Sequence, residues 1–210
     1  MTLNHPDRLF PSDTFTRGLA RELFQNIETL PIVSPHGHSD PSWFSENKRF
    51  PDPAQLFVVP DHYVFRMMVS QGLTLQEFGI QTLDGSSFEN DPKKIWVKFS
   101  ENYYLIRGTP TAMWIDYSFE KVFGITEPLT PATTDFYYNH IAEKLSQPEF
   151  LPQALFDKFN IEYEIIIVDD NSVDGTVKEI SKGLAKTYIG KAARDMYHKG
   201  QQQGLSLIHI

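Results

Sequence analysis

The segment that decides the fold reads Leu30-Pro31-Ile32-Val33-Ser34-Pro35-His36-Gly37-His38. It begins as a short apolar run, which is typical of a buried strand, and ends in a polar loop. Side chains two positions apart on a strand point the same way, so His36 and His38 can converge on one ion. The alternative is a pair of loop histidines without a metal, because zinc needs three or four ligands.

Helical patterns and one further strand surround this segment. Ser12 or Asp13 can cap a helix that runs to about residue 27, with an apolar residue at every fourth position. Further helical patterns cover about residues 62–72, 92–106, 110–122, 130–145 and 151–159, and the fourth of these begins with Thr130 as cap and Pro131 in the first turn. The run Tyr163–Val168 is rich in β-branched residues, which predicts a parallel strand buried on both faces.

The composition excludes several classes of protein. Hydrophobic residues make up 40% of the 210 residues and charged residues 22%, as in a folded globular chain. A net charge of -8 argues against a nucleic-acid partner, and no run of about 18 apolar residues predicts a membrane span. The residues Met1–Phe10 do not resemble a signal peptide, which favours the cytoplasm. Because the chain has no cysteine, a metal site must use histidines and carboxylates.

A second group of reactive side chains follows in Asp61-His62-Tyr63 and Arg66. If a helix starts here, His62 and Arg66 lie one turn apart on the same face. An imidazole, a phenol and a guanidinium together can carry a proton and hold a carboxylate. The alternative is an ordinary helix N-terminus at which Asp61 is only the cap.

A series of short motifs resembles the opening segment of the uronate isomerases, members of the amidohydrolase superfamily. Each motif is modest alone, but they occur in order over about three quarters of the chain. The motifs are 5–10, 30–38, 60–63, 106–111, 113–116, 122–125 and 155–162.

The resemblance implies an α/β fold, namely the N-terminal part of a distorted β/α (TIM-like) barrel with a large helical insertion after the first strand. It implies a small-molecule sugar acid as substrate: D-glucuronate is converted to D-fructuronate, and D-galacturonate to D-tagaturonate. His36 and His38 match the family's metal pair, usually described with zinc, and His62 and Tyr63 match residues near the substrate. Arg66 is our candidate partner for the substrate carboxylate, chosen by its charge and position.

Two departures from the family are expected to matter. Tyr104, Ala112 and Tyr117 stand where many relatives have His, Arg and His, which leaves the choice between glucuronate and galacturonate open. A β/α barrel takes about 250 residues before insertions, so the barrel is expected to be incomplete. The family also takes a metal-binding Asp from its last strand. The chain is therefore expected to be an inactive N-terminal fragment, and a non-enzymatic helical fragment that binds metal loosely is a further alternative.

The resemblance changes near residue 162. Residues 163–176 resemble the first strand and loop of family 2 glycosyltransferases, with Asp169, Asp170 and Asp174 as candidate ligands for a nucleotide sugar. Either the chain joins two unrelated pieces near Glu162, or residues 163–170 are a divergent second barrel strand. The tail 205–210 resembles a translated sequencing adapter, which favours the first explanation. The predicted parts are 1–162, isomerase-like; 163–200, an α/β fragment; and 201–210, an unstructured tail.

Overall fold

A computed structural model describes residues 2–33, 40, 43 and 46–162. The chain divides into two compact units. Unit 1 comprises Met1–Gln25 and Phe50–Gln147, and unit 2 comprises Asn26–Arg49 and Pro148–Ile210. The predicted strand 163–168, the segment 169–200 and the tail 201–210 lie outside the described residues, so the predicted boundary near residue 162 stays a prediction.

Unit 1 is built from helices and turns. The predicted helices at 62–72, 92–106 and 110–122 are confirmed. The second of them ends in a 3₁₀ turn and the third in a π-helical turn. None of the helices in the described part of the chain has the length and hydropathy that a membrane span requires. In chain order the helices are α1 (Thr14–Gln25), α2 (Pro53–Phe57), α3 (His62–Ser70), α4 (Pro92–Glu101), α5 (Pro110–Tyr117) and α6 (Thr134–Leu145), with 3₁₀ turns at Gln76–Phe78 and Tyr103–Ile106 and a π-helical turn at Ser118–Val122.

Three of these helices start with a capping side chain followed by proline. Asp52 accepts hydrogen bonds from the Ala54 and Gln55 amides at the start of α2. Asp91 does the same at α4, where the distance to the Lys93 amide is 2.9 Å, and Thr109 at α5 accepts from the Ala112 amide. Proline suits the first helical position because its missing N–H has no partner there in any helix. A cap followed by proline is a sequence signal for such a start, although the helix Pro53–Phe57 is not among the predicted ones.

The predicted start of α6 is wrong. The helix begins at Thr134, and residues 131–133 form a turn instead. The Thr133 hydroxyl accepts from the Thr130 amide at 2.9 Å and also lies 2.9 Å from the Pro128 carbonyl, while the Thr134 hydroxyl donates to the Thr130 carbonyl at 3.0 Å. Hydroxyl side chains thus take the backbone groups that a helix beginning at Thr130 would need.

Aromatic side chains fill the core of unit 1. Trp96 and Phe119 are fully buried, as is Tyr137 on α6. The rings of Phe119 and Tyr137 meet edge to face at 4.9 Å, and Phe57 from α2 meets Phe119 at 5.3 Å. The indole N–H of Trp96 donates to the Thr134 carbonyl at 3.2 Å, so this buried donor is satisfied. The core therefore holds α2, α4 and α6 against the turn that follows α5.

Helix α1 forms as predicted but buries none of its own residues. The Asp13 carboxylate caps it by accepting from the Thr16 amide at 2.8 Å. The predicted apolar stripe is solvent-exposed, since Phe15, Leu19 and Leu23 all keep a large part of their surface accessible. No partner for this stripe is found among the described residues.

Unit 2 contains the two described strands. Strand β1 (Ile32–Val33) pairs in parallel with β2 (Ile161–Glu162), with Ile32 opposite Ile161, and the Ile32 amide donates to the Asn160 carbonyl at 2.8 Å. Helix α7 (Pro152–Lys158) precedes β2 and confirms the prediction at 151–159. Parallel strands require a crossover, and here the long helical stretch supplies it. This strand–helices–strand order is what the predicted α/β class requires.

Candidate functional site

The first turn of α3 is fixed by Asp61. Its Oδ1 accepts a hydrogen bond from the Tyr63 amide at 2.8 Å, and its own backbone is extended, as at an ordinary N-cap. The buried face of the helix consists of Val64 and Met68. The modest alternative, that Asp61 caps a helix here, is therefore confirmed, and the same cap determines where the next side chains point.

The structure brings His62, Tyr63 and Arg66 together on the exposed face of α3. The imidazole and phenol rings lie 4.2 Å apart between centroids at an interplanar angle of 32°. The Arg66 guanidinium carbon lies 4.8 Å from the centre of the Tyr63 ring, a cation–π distance. Tyr63 is 46% exposed, so part of its surface is accessible to a ligand. A proton carrier, a hydroxyl and a fixed positive charge thus share one small surface.

The predicted metal pair lies outside the described residues. Strand β1 ends at Val33, three positions before His36 in the sequence. Among the described residues, no group of three or more histidines and carboxylates is placed to hold a metal ion. The assignment of His36 and His38 as metal ligands stays a prediction.

A second polar group lines a cavity of about 510 Å³ within unit 1. One of its lining residues is Asp116 on α5, whose Oδ1 accepts a hydrogen bond from the Tyr103 hydroxyl at 2.8 Å. Burial raises the pKa of Asp116, and the hydrogen bond from Tyr103 and the charge of Arg107 oppose that rise. Burial also raises the pKa of Tyr103, so the phenol stays protonated and remains a donor.

Sequence reasoning missed this cavity. Arg107 and Asp116 fall within motifs that carried the family resemblance, but the spacing gives no sign that Tyr103 and Asp116 meet. One signal was available in the sequence, because the single acidic residue Asp116 directly follows the apolar run Met113–Ile115. Such a residue either faces solvent or has a buried partner.

The raised pKa of Asp116 predicts a pH dependence of folding. Between the ordinary value of 3.8 and the raised value, the folded chain holds a proton that the unfolded chain releases. The free energy of unfolding therefore falls as pH rises through this interval. We expect Asp116→Asn to remove this pH dependence. The free energy of unfolding of the variant, relative to that of the wild type, should therefore increase as pH rises from about 3 to about 7. Urea unfolding followed by tryptophan fluorescence measures the difference.

Asp84 provides a control of opposite sign. It is fully exposed, and hydrogen bonds from Thr82 and Ser86 lower its pKa to about 2. Its contribution to stability is present above the ordinary value of 3.8 and is lost as pH falls through the lowered value. Asp84→Asn should therefore cost stability at neutral pH and none in strong acid. A difference between wild type and Asp116→Asn that does not change with pH would contradict the assignment for Asp116.

Comparison with known proteins places this chain beside one family. The family model for glucuronate isomerase matches residues 10–181. The uronate isomerase of Rhizobium meliloti is 52% identical over 169 residues, which is 80% of this chain and 36% of that protein. The uronate isomerase of Mesorhizobium japonicum is 50% identical over 174 residues, covering 83% of this chain and 37% of that protein.

Two solved structures resemble the fold. The glucuronate isomerase of Caulobacter crescentus superposes with a TM-score of 0.78 at 40% identity, covering 89% of this chain and 38% of that one. The uronate isomerase of Thermotoga maritima gives a TM-score of 0.63 at 27% identity, covering 75% of this chain and 32% of that one. The chain thus spans between 32% and 38% of the length of these four proteins.

Proposed function

The chain belongs to the glucuronate isomerase family, and from this premise we propose that it supplies part of the active site of an aldose–ketose isomerase acting on D-glucuronate and D-galacturonate. The products are D-fructuronate and D-tagaturonate. The observation that carries the proposal is the cluster of His62, Tyr63 and Arg66 on one exposed helix face. Since the chain spans 36% of the Rhizobium meliloti relative, we expect the 210 residues alone to be inactive.

The fold proposed for the whole protein is a distorted β/α barrel of the amidohydrolase superfamily. Strands β1 and β2 are parallel neighbours although more than a hundred residues separate them, which suits the first two strands of such a barrel with a helical insertion between them. Active sites of β/α barrels lie at the carboxyl ends of the strands. Residues 34–38 follow the carboxyl end of β1 in the sequence, which is the position expected of residues that contribute to such an active site.

The proposed cofactor is a divalent metal, zinc, held by His36 and His38. The donor chemistry fits, because two imidazoles follow one strand end and the chain has no thiolate that would favour a structural cysteine site. Further ligands have to come from the remainder of the protein. When bound, the cation supplies a positive charge that stabilises the negative charge developing on the substrate oxygens.

The side chains of α3 act on the substrate itself. The reaction removes a proton from C2, passes through an enediol and returns a proton to C1, so one group has to accept and release that proton. His62 is exposed, and an imidazole is the side chain that most often serves as a general acid or base. Tyr63 can donate a hydrogen bond to a sugar oxygen, and Arg66, held over the Tyr63 ring, can bind the carboxylate with two parallel hydrogen bonds.

We propose a cytoplasmic enzyme that acts on a free sugar acid and has neither a nucleic-acid nor a membrane partner. The net charge of -8 supports this, because a surface with excess negative charge repels phosphate backbones and anionic lipid. The anionic substrate then depends on local charges such as Arg66.

A hybrid enzyme tests the proposal. Residues 10–162 of this chain replace the matching segment of the Rhizobium meliloti uronate isomerase, and turnover of D-glucuronate is measured with added zinc. We expect the hybrid to isomerise glucuronate and the 210-residue chain to be inactive under the same conditions. A hybrid that folds but does not isomerise glucuronate would contradict the proposal.

A second hybrid, joined after residue 181, distinguishes the two explanations for residues 163–176. The family model's match to residues 10–181 favours a divergent isomerase strand, and in that case both hybrids are active. If residues 163–181 come from another protein, only the hybrid joined after residue 162 works. The glycosyltransferase alternative instead requires a nucleotide sugar to bind this chain and the binding to be lost in Asp169→Ala or Asp170→Ala.

Arg66 should affect substrate binding more than the chemical step. In the hybrid, Arg66→Ala is expected to raise KM for D-glucuronate roughly tenfold or more while kcat changes little, because a charge-assisted hydrogen bond to the carboxylate contributes about 1.5–3 kcal/mol. Arg66→Lys keeps the charge but not the paired geometry, and we expect it to recover only part of the loss. Steady-state kinetics at several substrate concentrations measures both constants. An unchanged KM in Arg66→Ala would show that Arg66 does not bind the substrate carboxylate.

A further inference from the structure

The apolar stripe of α1, formed by Phe15, Leu19 and Leu23, has no part in the proposed active site. Phe15 is 75% exposed and Leu23 is 70% exposed, and no residue of this helix is buried. Scattered apolar residues are common on protein surfaces, but here three large ones lie at successive turns of one helix. Such a periodic face normally packs against another element, so the stripe calls for a partner.

The segment before α1 packs on a different side of the helix. The Arg21 Nε donates a hydrogen bond to Asp7 Oδ1 at 2.8 Å, and the Arg17 Nε lies 3.8 Å from Asp7 Oδ2. Arg17 and Arg21 are each two residues from Leu19, which places them about 160° around the helix axis from it. The contacts with the N-terminal segment therefore leave the stripe uncovered.

A second copy of the chain is a poor partner for the stripe, because the available area is too small. The helix has 12 residues, so it is about 18 Å long and about 10 Å wide and offers a footprint on the order of 200 Å². A stable complex between separate proteins buries about 800 Å² on each partner. A partner within the same polypeptide needs less area, because the covalent link removes most of the entropic cost of association.

A lipid surface is also a poor partner. Helices that lie in a membrane interface carry free Lys and Arg side chains on their polar face, where they meet anionic headgroups. In α1 the two arginines are paired with Asp7, and the whole chain has a net charge of -8. The stripe is therefore suited to another apolar protein surface.

The relatives contain a protein surface of the required kind. The chain spans 36% of the Rhizobium meliloti uronate isomerase and 38% of the Caulobacter crescentus glucuronate isomerase, so the larger part of each has no counterpart in this chain. Strand β1 in unit 2 has the same deficit independently of α1. Ile32 and Val33 project to opposite faces of the strand and both are exposed, although a parallel strand is normally covered on both faces.

We propose that the stripe of α1 is the docking face for the part of a full-length isomerase that has no counterpart in this chain. Apolar side chains of that part cover Phe15, Leu19 and Leu23 within one polypeptide. A separate partner protein bound to α1 would leave β1 uncovered, whereas the remainder of the same fold can cover both elements. The inference uses the family membership and the lengths of the relatives, and none of the active-site assignments.

Photo-crosslinking in the hybrid that carries residues 10–162 tests the identity of the partner. Leu23 is replaced by p-benzoylphenylalanine, and the crosslinked peptides are identified by mass spectrometry. We expect crosslinks within one polypeptide, to residues that the Rhizobium meliloti enzyme contributes. The same probe at the exposed Gln25, about 160° around the helix from Leu23, should give roughly tenfold less of this product.

A charge substitution measures whether the stripe is buried. Leu23→Asp should lower the melting temperature of the hybrid by several degrees, because it places an unpaired charge in an apolar contact. In the 210-residue chain, where Leu23 is exposed, its effect should not exceed that of Gln25→Asp, which adds the same charge in the same helical turn. Thermal unfolding followed by circular dichroism measures both.

Three outcomes would overturn the proposal. They are crosslinks from position 23 no stronger than those from position 25, an equal effect of Leu23→Asp in the hybrid and in the 210-residue chain, and crosslinks to a second copy. For the 210-residue chain by itself, sedimentation velocity should show no dimer that Leu23→Asp dissociates, and such a dimer would assign the stripe to a second copy. None of these measurements uses catalytic activity, so this inference and the proposed function fail separately.

Discussion

We expect replacement of both His36 and His38 by alanine in the hybrid enzyme to remove the proposed zinc and nearly all of the isomerase activity. If the two imidazoles are ligands, the ion loses two of the three or four ligands that zinc needs from a protein. Loss of an outer partner alone typically costs 10–100-fold in metal affinity or activity, so removal of two direct ligands should cost at least on the order of 100-fold. Zinc content by mass spectrometry and turnover of D-glucuronate measure the two effects.

A matched histidine variant separates this effect from a general loss of structure. His5 lies near the start of the chain, and its ring Nδ1 accepts a hydrogen bond from the local Asp7 amide at 3.1 Å. His5→Ala should therefore keep both zinc and activity. If the double variant retains about one zinc per chain and normal turnover, His36 and His38 are loop histidines without a metal, and the alternative that the sequence left open is correct.

The second large effect is expected at His62. In the hybrid, His62→Ala should lower kcat by roughly 10²–10⁴-fold, the usual contribution of a side chain that transfers a proton in the rate-limiting step. The helix should survive, because Asp61 still caps it and Val64 and Met68 still anchor its buried face. Zinc content should also stay unchanged, which distinguishes this variant from the loss of His36 and His38.

The pH profile provides the control that a structural role would not reproduce. If His62 carries the proton, kcat in the parent hybrid changes with pH as this side chain gains or loses its proton, and that dependence disappears in His62→Ala. Tyr63→Phe keeps the stacked ring but not the hydroxyl, so it should show a smaller loss and keep the pH dependence. An unchanged kcat in His62→Ala would assign the cluster on α3 to helix capping alone.

Local patterns in the sequence predicted most of what lies within a few residues. The cluster on α3 was predictable because His62 and Arg66 are one helical turn apart, and the start of α4 follows from an acidic cap and a proline. Helix α2 was not predicted, because the surrounding residues are rich in proline and charge and favoured a loop. The start of α6 was not, because Thr133 and Thr134 compete through their hydroxyls for the carbonyl that a helix at Thr130 would use.

Contacts between distant residues were beyond local reasoning. The hydrogen bond between Tyr103 and Asp116 depends on how the 3₁₀ turn and α5 pack, and no periodicity encodes that packing. The stripe of α1 shows the converse, since Phe15 and Leu23 have helical spacing yet stay exposed. A periodic apolar face predicts that a partner exists and does not say which residues supply it.

The central claim is that His36 and His38 bind one divalent cation. A crystal structure of the zinc-loaded hybrid, with zinc located by its anomalous scattering, tests this most directly. We predict a ring nitrogen of His36 and of His38 each within about 2.0–2.1 Å of the zinc. Imidazoles that point to opposite sides of the strand, or a zinc ion bound at other residues, would contradict it.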